Sequence, residues 1–447
     1  MPQVIVVGAG VAGLSAARTL RRAGTEVTVV EARDRVGGRT LSYDLDGHRI
    51  DLGGQWIGAG HRRLTQLAGE LGLSTFPQHA KGKKVLDRGD GKLRTFSGFL
   101  PKIGLFGLID LGLKVSALEK LARSVPLDDP MSAPNARALD AQSLGDWLAA
   151  NVRTRAARDM LGLAAQMILA AEPSQISMLY FLLYAHSGGG VQKLAEIEHG
   201  AQERRFVDGA QGLALALAAE LGERVRLSCP VRGVEQDATG VTVHTAQGPL
   251  RGERVILALP PALLAKLEIG GLSMARTQLH TQMPMGSVIK FIASYERAFW
   301  RENGYSGEAL STHGLVRATF DDCDSSGKHA ALVGFVVGDR AKELSKLSAD
   351  DRRPLLLAEL ARLHGPAAHQ PIQLVDKDWL TDPHSAGCYV GVMPPKLLTE
   401  AASALRIPAG LIHFAGTETA VEHIGYIEGA LESAERVVAE IGKASVR

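Results

Sequence analysis

Cysteine is scarce in this sequence, and so is any excess of charge of one sign. Only Cys229, Cys323 and Cys388 occur among 447 residues. A small and odd number of cysteines excludes a disulfide framework and favours a reducing compartment. We therefore expect a cytoplasmic protein. The 50 basic residues are balanced by 48 acidic ones, and no basic run is present. A nucleic-acid partner is therefore not expected.

Long hydrophobic runs are lacking as well. No stretch reaches the roughly 20 apolar residues that a membrane-spanning helix needs. Residues 2–7 are too short an apolar segment for a signal peptide, and glycines follow them directly. The C-terminal Val446 and Arg447 carry no lipidation cysteine. The uncharged residues 173–192 predict a buried helix, so we expect no membrane partner.

What the sequence does contain is the composition of a sizeable globular protein. Apolar residues make up 45% and charged residues 22%, and the length is typical of about three domains or two large interleaved ones. Residues 4–7 and 27–30 are apolar runs typical of buried strands, with a helical pattern between them. A strand over 412–415 and a helix over 425–441 end the chain in a similar way. This predicts one domain built from separated segments, with a second domain inserted.

The middle of the chain shows less regular patterns. They predict helices over residues 64–73, 105–125, 144–148, 155–171 and 352–363, and strands over residues 225–227, 233–236, 241–245, 255–259, 287–295 and 331–337.

Residues 8–13 have the pattern G-x-G-x-x-G between a predicted strand and a predicted helix. Gly8 permits the tight turn, Gly10 lets the backbone approach a pyrophosphate, and Gly13 lets helix and sheet pack closely. The pyrophosphate would lie at the helix N-terminus. Glu31, at the end of the second strand, is placed to hold ribose hydroxyls. The pattern therefore predicts a dinucleotide site.

Residues 31–39 distinguish FAD from NAD. Their pattern, E-x-x-x-x-x-G-G-R, resembles the second FAD fingerprint of glutathione-reductase-like flavoproteins, in particular of their amine oxidase branch. Arg39 offers a charged fork to a phosphate group. The Gly-rich residues 51–58 are also familiar from this branch and would approach the isoalloxazine ring.

The chain as a whole resembles the flavin-containing monoamine oxidases, from Gln3 to about Ile441. The matching segments include GAQERRFV at 200–207, MGSVIK at 285–290, SAGCY at 385–389, FAGTET at 414–419 and GYIEGA at 425–430. The C-terminal membrane helix of the mitochondrial members is missing, so the chain is identified as a soluble, bacterial-type member.

This resemblance implies an α/β fold with two interleaved domains. A glutathione-reductase-like, Rossmann-type FAD-binding domain is expected over residues 1–75, 200–270 and 380–447. An α+β substrate-binding domain is expected over residues 76–199 and 271–379.

The resemblance also implies the activity. We expect an FAD-dependent oxidase of primary, and also of secondary, amines, which gives an imine and then an aldehyde or ketone, ammonia and hydrogen peroxide. Its partners would be a small-molecule amine and O2, and assembly as a homodimer is left open. No metal-ligand set is visible or needed.

Three residues are candidates for the catalytic steps. Lys290 lies inside an apolar strand, where lysine is rare unless it is paired or its amine reaches the surface. In the family the matching lysine holds a water beside flavin N5 and assists the reaction with oxygen. Tyr389 and Tyr426 match two tyrosines that face each other across the substrate amine. By themselves these tyrosines would be ordinary half-buried core residues.

Cys388 leaves two alternatives open. In the mitochondrial enzymes the matching cysteine forms a thioether with the flavin 8α-carbon, whereas many bacterial relatives bind FAD without a covalent bond. The resemblance assigns the remaining site residues in two groups. The cofactor-binding candidates are Gly8, Gly10, Gly13, Ser15, Glu31, Ala32, Arg33, Gly38, Arg39, Gly54, Gln55, Trp56, Val231, Trp379, Cys388, Gly416, Thr417 and Ile427, and the substrate candidates are Met167, Ile168 and Gln202.

Other functions remain as alternatives. A polyamine or L-amino-acid oxidase or a desaturase would keep the flavin and change the substrate, and a flavin-binding module would lack activity. Amino-acid oxidases need an arginine aimed at the carboxylate, and diamine oxidases need an acid deep in the cavity. Neither is found at the positions that can be matched, but residues 95–109 and 313–320 also contribute to the cavity and cannot be assigned from the sequence.

Overall fold

Helices and strands alternate along the whole described chain. The computed structural model describes residues 4–98 and 101–444, so the expectations for residues 2–3 and for Val446 and Arg447 lie outside the described residues. The strands are β1 (Val4–Val7), β2 (Val27–Val30), β3 (Ser42–Leu45), β4 (His48–Asp51), β5 (Trp56–Ile57), β6 (Thr75–Pro77), β7 (Lys83–Asp87), β8 (Leu93–Phe96), β9 (Arg204–Phe206), β10 (Val225–Arg226), β11 (Val231–Asp237), β12 (Gly240–Thr245), β13 (Gly248–Gly252), β14 (Arg254–Leu257), β15 (Glu268–Ile269), β16 (Val288–Tyr295), β17 (Tyr305–Ser311), β18 (Ala318–Asp321), β19 (Ala330–Val337), β20 (Gln373–Asp378) and β21 (Ile412–Phe414).

The helices lie between these strands and surround them. They are α1 (Val11–Arg22), α2 (Arg62–Glu70), α3 (Leu105–Arg123), α4 (Ala136–Ala141), α5 (Leu144–Asn151), α6 (Arg155–Leu169), α7 (Met178–Ser187), α8 (Val191–Ala195), α9 (Gly212–Leu221), α10 (Pro261–Leu264), α11 (Met274–Gln282), α12 (Phe299–Glu302), α13 (Asp339–Leu344), α14 (Ala349–His364), α15 (Leu397–Ala401) and α16 (Ile427–Ala444). The predicted helices over 105–125 and 155–171 are confirmed as α3 and α6, which end two residues earlier than expected.

The first strand lies in the middle of a parallel five-stranded sheet with the order β10-β2-β1-β14-β21. All four residues of β1 and of β2 are buried, as strands covered on both faces must be. Helix α1 packs on α9 and α16 beside this sheet. The predicted α/β class, with a nucleotide-binding unit made from both ends of the chain, is confirmed.

A second large sheet has the order β20-β16-β19-β18-β17-β7-β8. Strands β16 and β19, the second and third in this order, are buried along their whole length and pair antiparallel, with Lys290 opposite Phe335. All strands of the parallel sheet fall within residues 1–75, 200–270 and 380–447, and all strands of the seven-stranded sheet fall within 76–199 and 271–379. The domain division itself remains a proposal, which this distribution supports.

A group of helices closes the second sheet on the side of the cavity described below. Helix α7 is buried at every position except His186, so the buried helix predicted within residues 173–192 is confirmed. It packs against α3, and α3 packs against α6. Within residues 4–98 and 101–444, no helix has the length and apolar character that crossing a membrane requires.

Candidate active site

An elongated cavity of about 410 Å³ runs along the carboxyl ends of the parallel strands. This edge is where open α/β sheets bind their ligands. Its wall begins at the turn between β1 and α1, continues past the end of β2, and reaches the loop before α16. The predicted cofactor residues on this wall are Gly8, Gly10, Glu31, Ala32, Arg33, Gly38, Arg39, Gly54, Val231, Cys388, Gly416, Thr417 and Ile427.

The glycines at the start of α1 have different structural roles. Gly8 has a φ of +105°, which disfavours any other residue. A Cβ on Gly13 would lie 2.0 Å from the carbonyl oxygen of Gly8, so this glycine lets the helix approach the strand. A Cβ on Gly10 would meet no protein atom within 4 Å, because Gly10 faces the cavity. The space at Gly10, beside the N-terminus of α1, fits a pyrophosphate.

Glu31 organises the turn above the cavity. Its Oε2 accepts a 2.8 Å hydrogen bond from the N–H of Ala9, and its Oε1 accepts one of 3.0 Å from the N–H of Arg33. Arg33 in turn forms a 2.6 Å ion pair with Asp382. The predicted ribose-binding acid therefore lies at the cavity wall in a fixed orientation. The donor and acceptor groups and the elongated shape fit the dinucleotide FAD.

Arg39 is held by an acid that the sequence reasoning did not single out. Its Nη1 donates a 2.6 Å hydrogen bond to Oε1 of Glu418, which is 1% exposed, and its Nη2 donates one of 3.0 Å to Oε2. Nη1 also donates to the backbone carbonyl of Tyr389 at 2.9 Å. Burial would lower the pKa of Arg39, but the Glu418 carboxylate outweighs it and the pKa is raised. The guanidinium that was predicted to bind a phosphate group is thus already bonded to protein groups. Arg39 lines the cavity and holds Glu418 and the Tyr389 backbone in place.

A second and larger cavity of about 740 Å³ meets the first one. Cys388, Tyr389 and Tyr426 line both cavities, as do Gly54, Gly425 and Ile427. The larger cavity also contains the predicted residues Gln55, Trp56, Trp379 and Lys290, together with the three substrate candidates Met167, Ile168 and Gln202. A ring system at the junction would be in contact with both cavities, which is where a flavin ring belongs.

Lys290 is buried in the wall of the larger cavity and is hydrogen-bonded. Its Nζ donates to the carbonyl oxygen of Gly53 at 2.9 Å and to Oε1 of Gln55. The amide of Gln55 donates to Asp322 at 3.1 Å, and Asp322 is paired with Arg205. Burial lowers the pKa of Lys290 to about 8, with Asp322 opposing the shift. The ammonium can therefore lose its proton at a pH only slightly above neutral.

Aromatic and imidazole rings support the two tyrosines from behind. Tyr426 makes edge contacts with His61 at 5.2 Å and a tilted contact with Tyr184 at 6.3 Å between ring centroids. Tyr389 makes an edge contact with Phe335 at 6.4 Å. No ring contact joins Tyr389 to Tyr426 within the described chain, and both residues line the two cavities. Burial raises the pKa of both hydroxyls, which stay protonated.

Cys388 is 5% exposed and lines both cavities. Burial raises the pKa of this thiol to about 12, while the nearby Arg39 opposes the shift. The peptide bond between Cys388 and Tyr389 is cis. Cys229 and Cys323 are buried and free as well.

Two predicted cofactor residues, Gly13 and Ser15, lie on α1 but do not line either cavity.

The residues that sequence reasoning missed are mostly charged and buried: Glu418, Asp322, Arg205, Lys84 and Glu308. Arg205 and Glu418 belong to segments that carry the family resemblance, and this was the available signal. From the segments left unassigned, Phe96, Pro101 and Phe320 line the larger cavity, while Phe99 and Leu100 lie outside the described residues. In residues 4–98 and 101–444 no group of three or more His, Cys, Asp or Glu side chains could hold a metal ion.

Known proteins with similar sequences and structures cover the whole chain. The family model described as flavin containing amine oxidoreductase matches residues 11–442. The "Probable flavin-containing monoamine oxidase A" of Dictyostelium discoideum is 37% identical over 442 residues, which are 98% of this chain and 97% of that protein. Wild-type putrescine oxidase bound to putrescine has a TM-score of 0.95 at 33% identity and covers 99% of both chains. Cyclohexylamine oxidase from Brevibacterium oxydans IH-35A has a TM-score of 0.94 at 32% identity, covering 100% of this chain and 99% of its own.

Proposed function

The chain belongs to the family of flavin-containing amine oxidoreductases, and from this premise we propose that it oxidises primary amines held between Tyr389 and Tyr426. The activity of the family is FAD-dependent amine oxidation. In this reaction an amine R-CH2-NH2, O2 and water give R-CHO, ammonia and hydrogen peroxide. The single observation that carries the proposal is that both tyrosines line the junction of the two cavities.

The wall of the larger cavity determines which protonation state of the amine binds. Met167 and Ile168 are among many apolar side chains that line it, and burying an unpaired ammonium there is unfavourable. The cavity therefore favours an uncharged amine with an apolar body. The faces of the two tyrosine rings orient the nitrogen, so that the α-carbon points toward the flavin. When bound, the flavin accepts the hydride equivalent and passes two electrons to O2.

Lys290 is proposed to act in the oxygen step. Its ammonium lies in the wall of the larger cavity, next to Gly53 and Gln55, and it can hold a water molecule or place a positive charge there. A positive charge favours the negative charge that develops as oxygen is reduced. A lysine in a strand that is buried along its whole length is costly without such a role or partner.

Covalent attachment of the flavin through Cys388 is also proposed. The support is its position, because its side chain is part of both cavity walls where they meet. The thiol must lose its proton to react. Burial raises its pKa to about 12, and the guanidinium of Arg39 offsets only part of this shift. Acid precipitation is expected to leave the yellow colour with the protein, and Cys388→Ala to release it. Colour in the supernatant of the unaltered protein would contradict the bond but not the amine oxidation.

The location in the cell is proposed to be the cytoplasm. Three buried thiols without a disulfide are typical of a reducing compartment.

The function is tested by a peroxide-coupled assay with benzylamine, putrescine and leucine, together with the visible spectrum. We expect a flavin spectrum and peroxide production with benzylamine. Leucine should be poor, because its carboxylate would have to enter a mostly apolar cavity. A yellow protein that releases no peroxide with any amine would contradict the proposal.

A further inference from the structure

The wall of the larger cavity contains an ion pair that the reaction at the flavin does not use. Lys84 on β7 and Glu308 on β17 both line the cavity. Nζ of Lys84 lies 2.8 Å from Oε2 of Glu308, and the side chains are 18% and 9% exposed. The other charged residues on this wall, apart from Lys290, are Glu119 and Arg123 on α3. Of these, Arg123 is exposed and Glu119 accepts a hydrogen bond from the N–H of Gln192.

The pair lies on the same face of the seven-stranded sheet as Lys290. Lys290 is opposite Phe335, Phe335 is opposite Ala318, and Ala318 is opposite Leu310. Leu310 is opposite Leu86 on β7, and Lys84 precedes Leu86 by two positions, so Lys84 points to the same side. Three strand spacings separate β16 from β17, which amounts to about 14 Å. The pair is thus remote from Lys290 along the same cavity wall.

The neighbours of the pair are mostly apolar. Phe96, Leu310 and Phe320 lie on the same cavity wall. Burial raises the pKa of Glu308, while the Lys84 ammonium opposes the shift. Within the described residues, Lys84 is the only charged partner of the Glu308 carboxylate. The two charges neutralise each other inside an otherwise apolar wall.

We propose that Lys84 and Glu308 form a polar subsite that binds the uncharged, hydrogen-bonding tail of a long amine substrate. This inference rests on the proposed amine oxidation and adds a substrate class to it. The ammonium donates hydrogen bonds and the carboxylate accepts them, so a hydroxyl or an amide at the far end of the substrate finds both partners. A methyl group at that position would leave these partners without a ligand.

Charged tails fit this subsite poorly. A second ammonium would need the Glu308 carboxylate, which Lys84 already neutralises. It would also bring a positive charge beside the lysine. A carboxylate tail would bring a second negative charge beside the Glu308 carboxylate. The pair therefore selects against diamines, even though the similar putrescine oxidase is named for a diamine.

Three amines of equal length test the selectivity: octylamine, 8-amino-1-octanol and 1,8-diaminooctane. With the unaltered holoenzyme, kcat/KM for the amino alcohol should exceed that for the diamine by on the order of tenfold. Lys84→Met leaves the carboxylate without its cation, so the ratio of diamine to amino alcohol should rise at least tenfold. Glu308→Gln leaves the lysine unpaired, so the same ratio should fall.

Lys83→Met is the matched control. Lys83 is exposed, precedes Lys84 on the same strand and points to the opposite side, so its change should not affect the ratios. The flavin spectrum of each variant shows whether the holoenzyme has folded. An unchanged ratio in both Lys84→Met and Glu308→Gln would overturn the subsite. Oxidation of none of the three amines by the unaltered holoenzyme would instead contradict the proposed function.

Discussion

The Arg39 guanidinium donates a 2.9 Å hydrogen bond to the backbone carbonyl oxygen of Tyr389, 350 positions further along the chain. The same guanidinium is paired with the buried Glu418, and Glu418 also accepts from the N–H of Gly391 at 3.2 Å. These contacts hold the backbone at Tyr389 and directly after it. The orientation of the proposed substrate-binding ring therefore depends on an ion pair behind it.

Glu418→Gln should weaken both stability and amine turnover. The change leaves the largely buried Arg39 cation without its counter-charge, which we expect to cost about 3 kcal/mol of unfolding free energy. Glu422→Gln is the control, because Glu422 is exposed and its nearest cation is 3.5 Å away. Thermal unfolding and benzylamine turnover are measured on both. Equal stability of the two variants would contradict the role of Glu418 as the partner of Arg39.

Sequence alone predicted the local units of this protein well. The β1-turn-α1 unit follows from four apolar residues, glycines at the turn and a helical repeat, all within 20 residues of each other. Lys290 could be singled out as a candidate site residue, because a lysine within an apolar strand is unusual.

Partners distant in sequence could not be predicted. The pairing of Arg39 with Glu418 joins residues 379 positions apart, and that of Lys84 with Glu308 depends on β7 lying beside β17. Only the fold brings these charges together. For the same reason, the sequence did not indicate that Glu308 is an acid in the cavity wall, of the kind that the diamine oxidase alternative requires.

Gly10→Val should give a folded protein that does not retain FAD. The new side chain would meet no protein atom at its Cβ, and the φ of −75° at Gly10 suits an ordinary residue. It would instead occupy the space predicted for the pyrophosphate. Gly69→Ala is the control, since a Cβ there also meets nothing within 4 Å but lies on α2, away from the cavity.

The measurement for Gly10→Val is the ratio of visible to ultraviolet absorbance, together with circular dichroism. We expect a colourless, folded protein, while the Gly69→Ala protein stays yellow. A yellow Gly10→Val protein with normal flavin content would show that the pyrophosphate does not approach this turn.

Lys290 should give the oxygen reaction a characteristic pH dependence. Its pKa of about 8 lies below the usual value of a lysine, so the ammonium loses its charge as the pH rises through 8. If the charge assists oxygen reduction, the reoxidation rate of the reduced enzyme should fall between pH 7 and 9. Lys290→Met should be slower by on the order of a hundredfold and independent of pH in this range.

Rapid mixing of reduced enzyme with O2 provides the rates. Lys342→Met, at a partly exposed position of α13 away from both cavities, should keep the profile of the unaltered protein. A Lys290→Met protein with unchanged rate and pH profile would leave Lys290 with a structural role only.

The two tyrosines at the cavity junction should be needed for their ring faces rather than for their hydroxyl groups. Tyr389→Ala combined with Tyr426→Ala removes both rings, so the amine is no longer oriented, and kcat/KM for benzylamine should fall by on the order of a hundredfold. The pair Tyr389→Phe and Tyr426→Phe keeps both ring faces and should retain most of the activity. Tyr43→Ala, at an exposed tyrosine of β3, is the control for loss of a ring elsewhere. The flavin spectrum is recorded for each variant, so that a loss of cofactor is not taken for a loss of orientation. Unchanged turnover in the double alanine variant would mean that the amine binds elsewhere in the cavity.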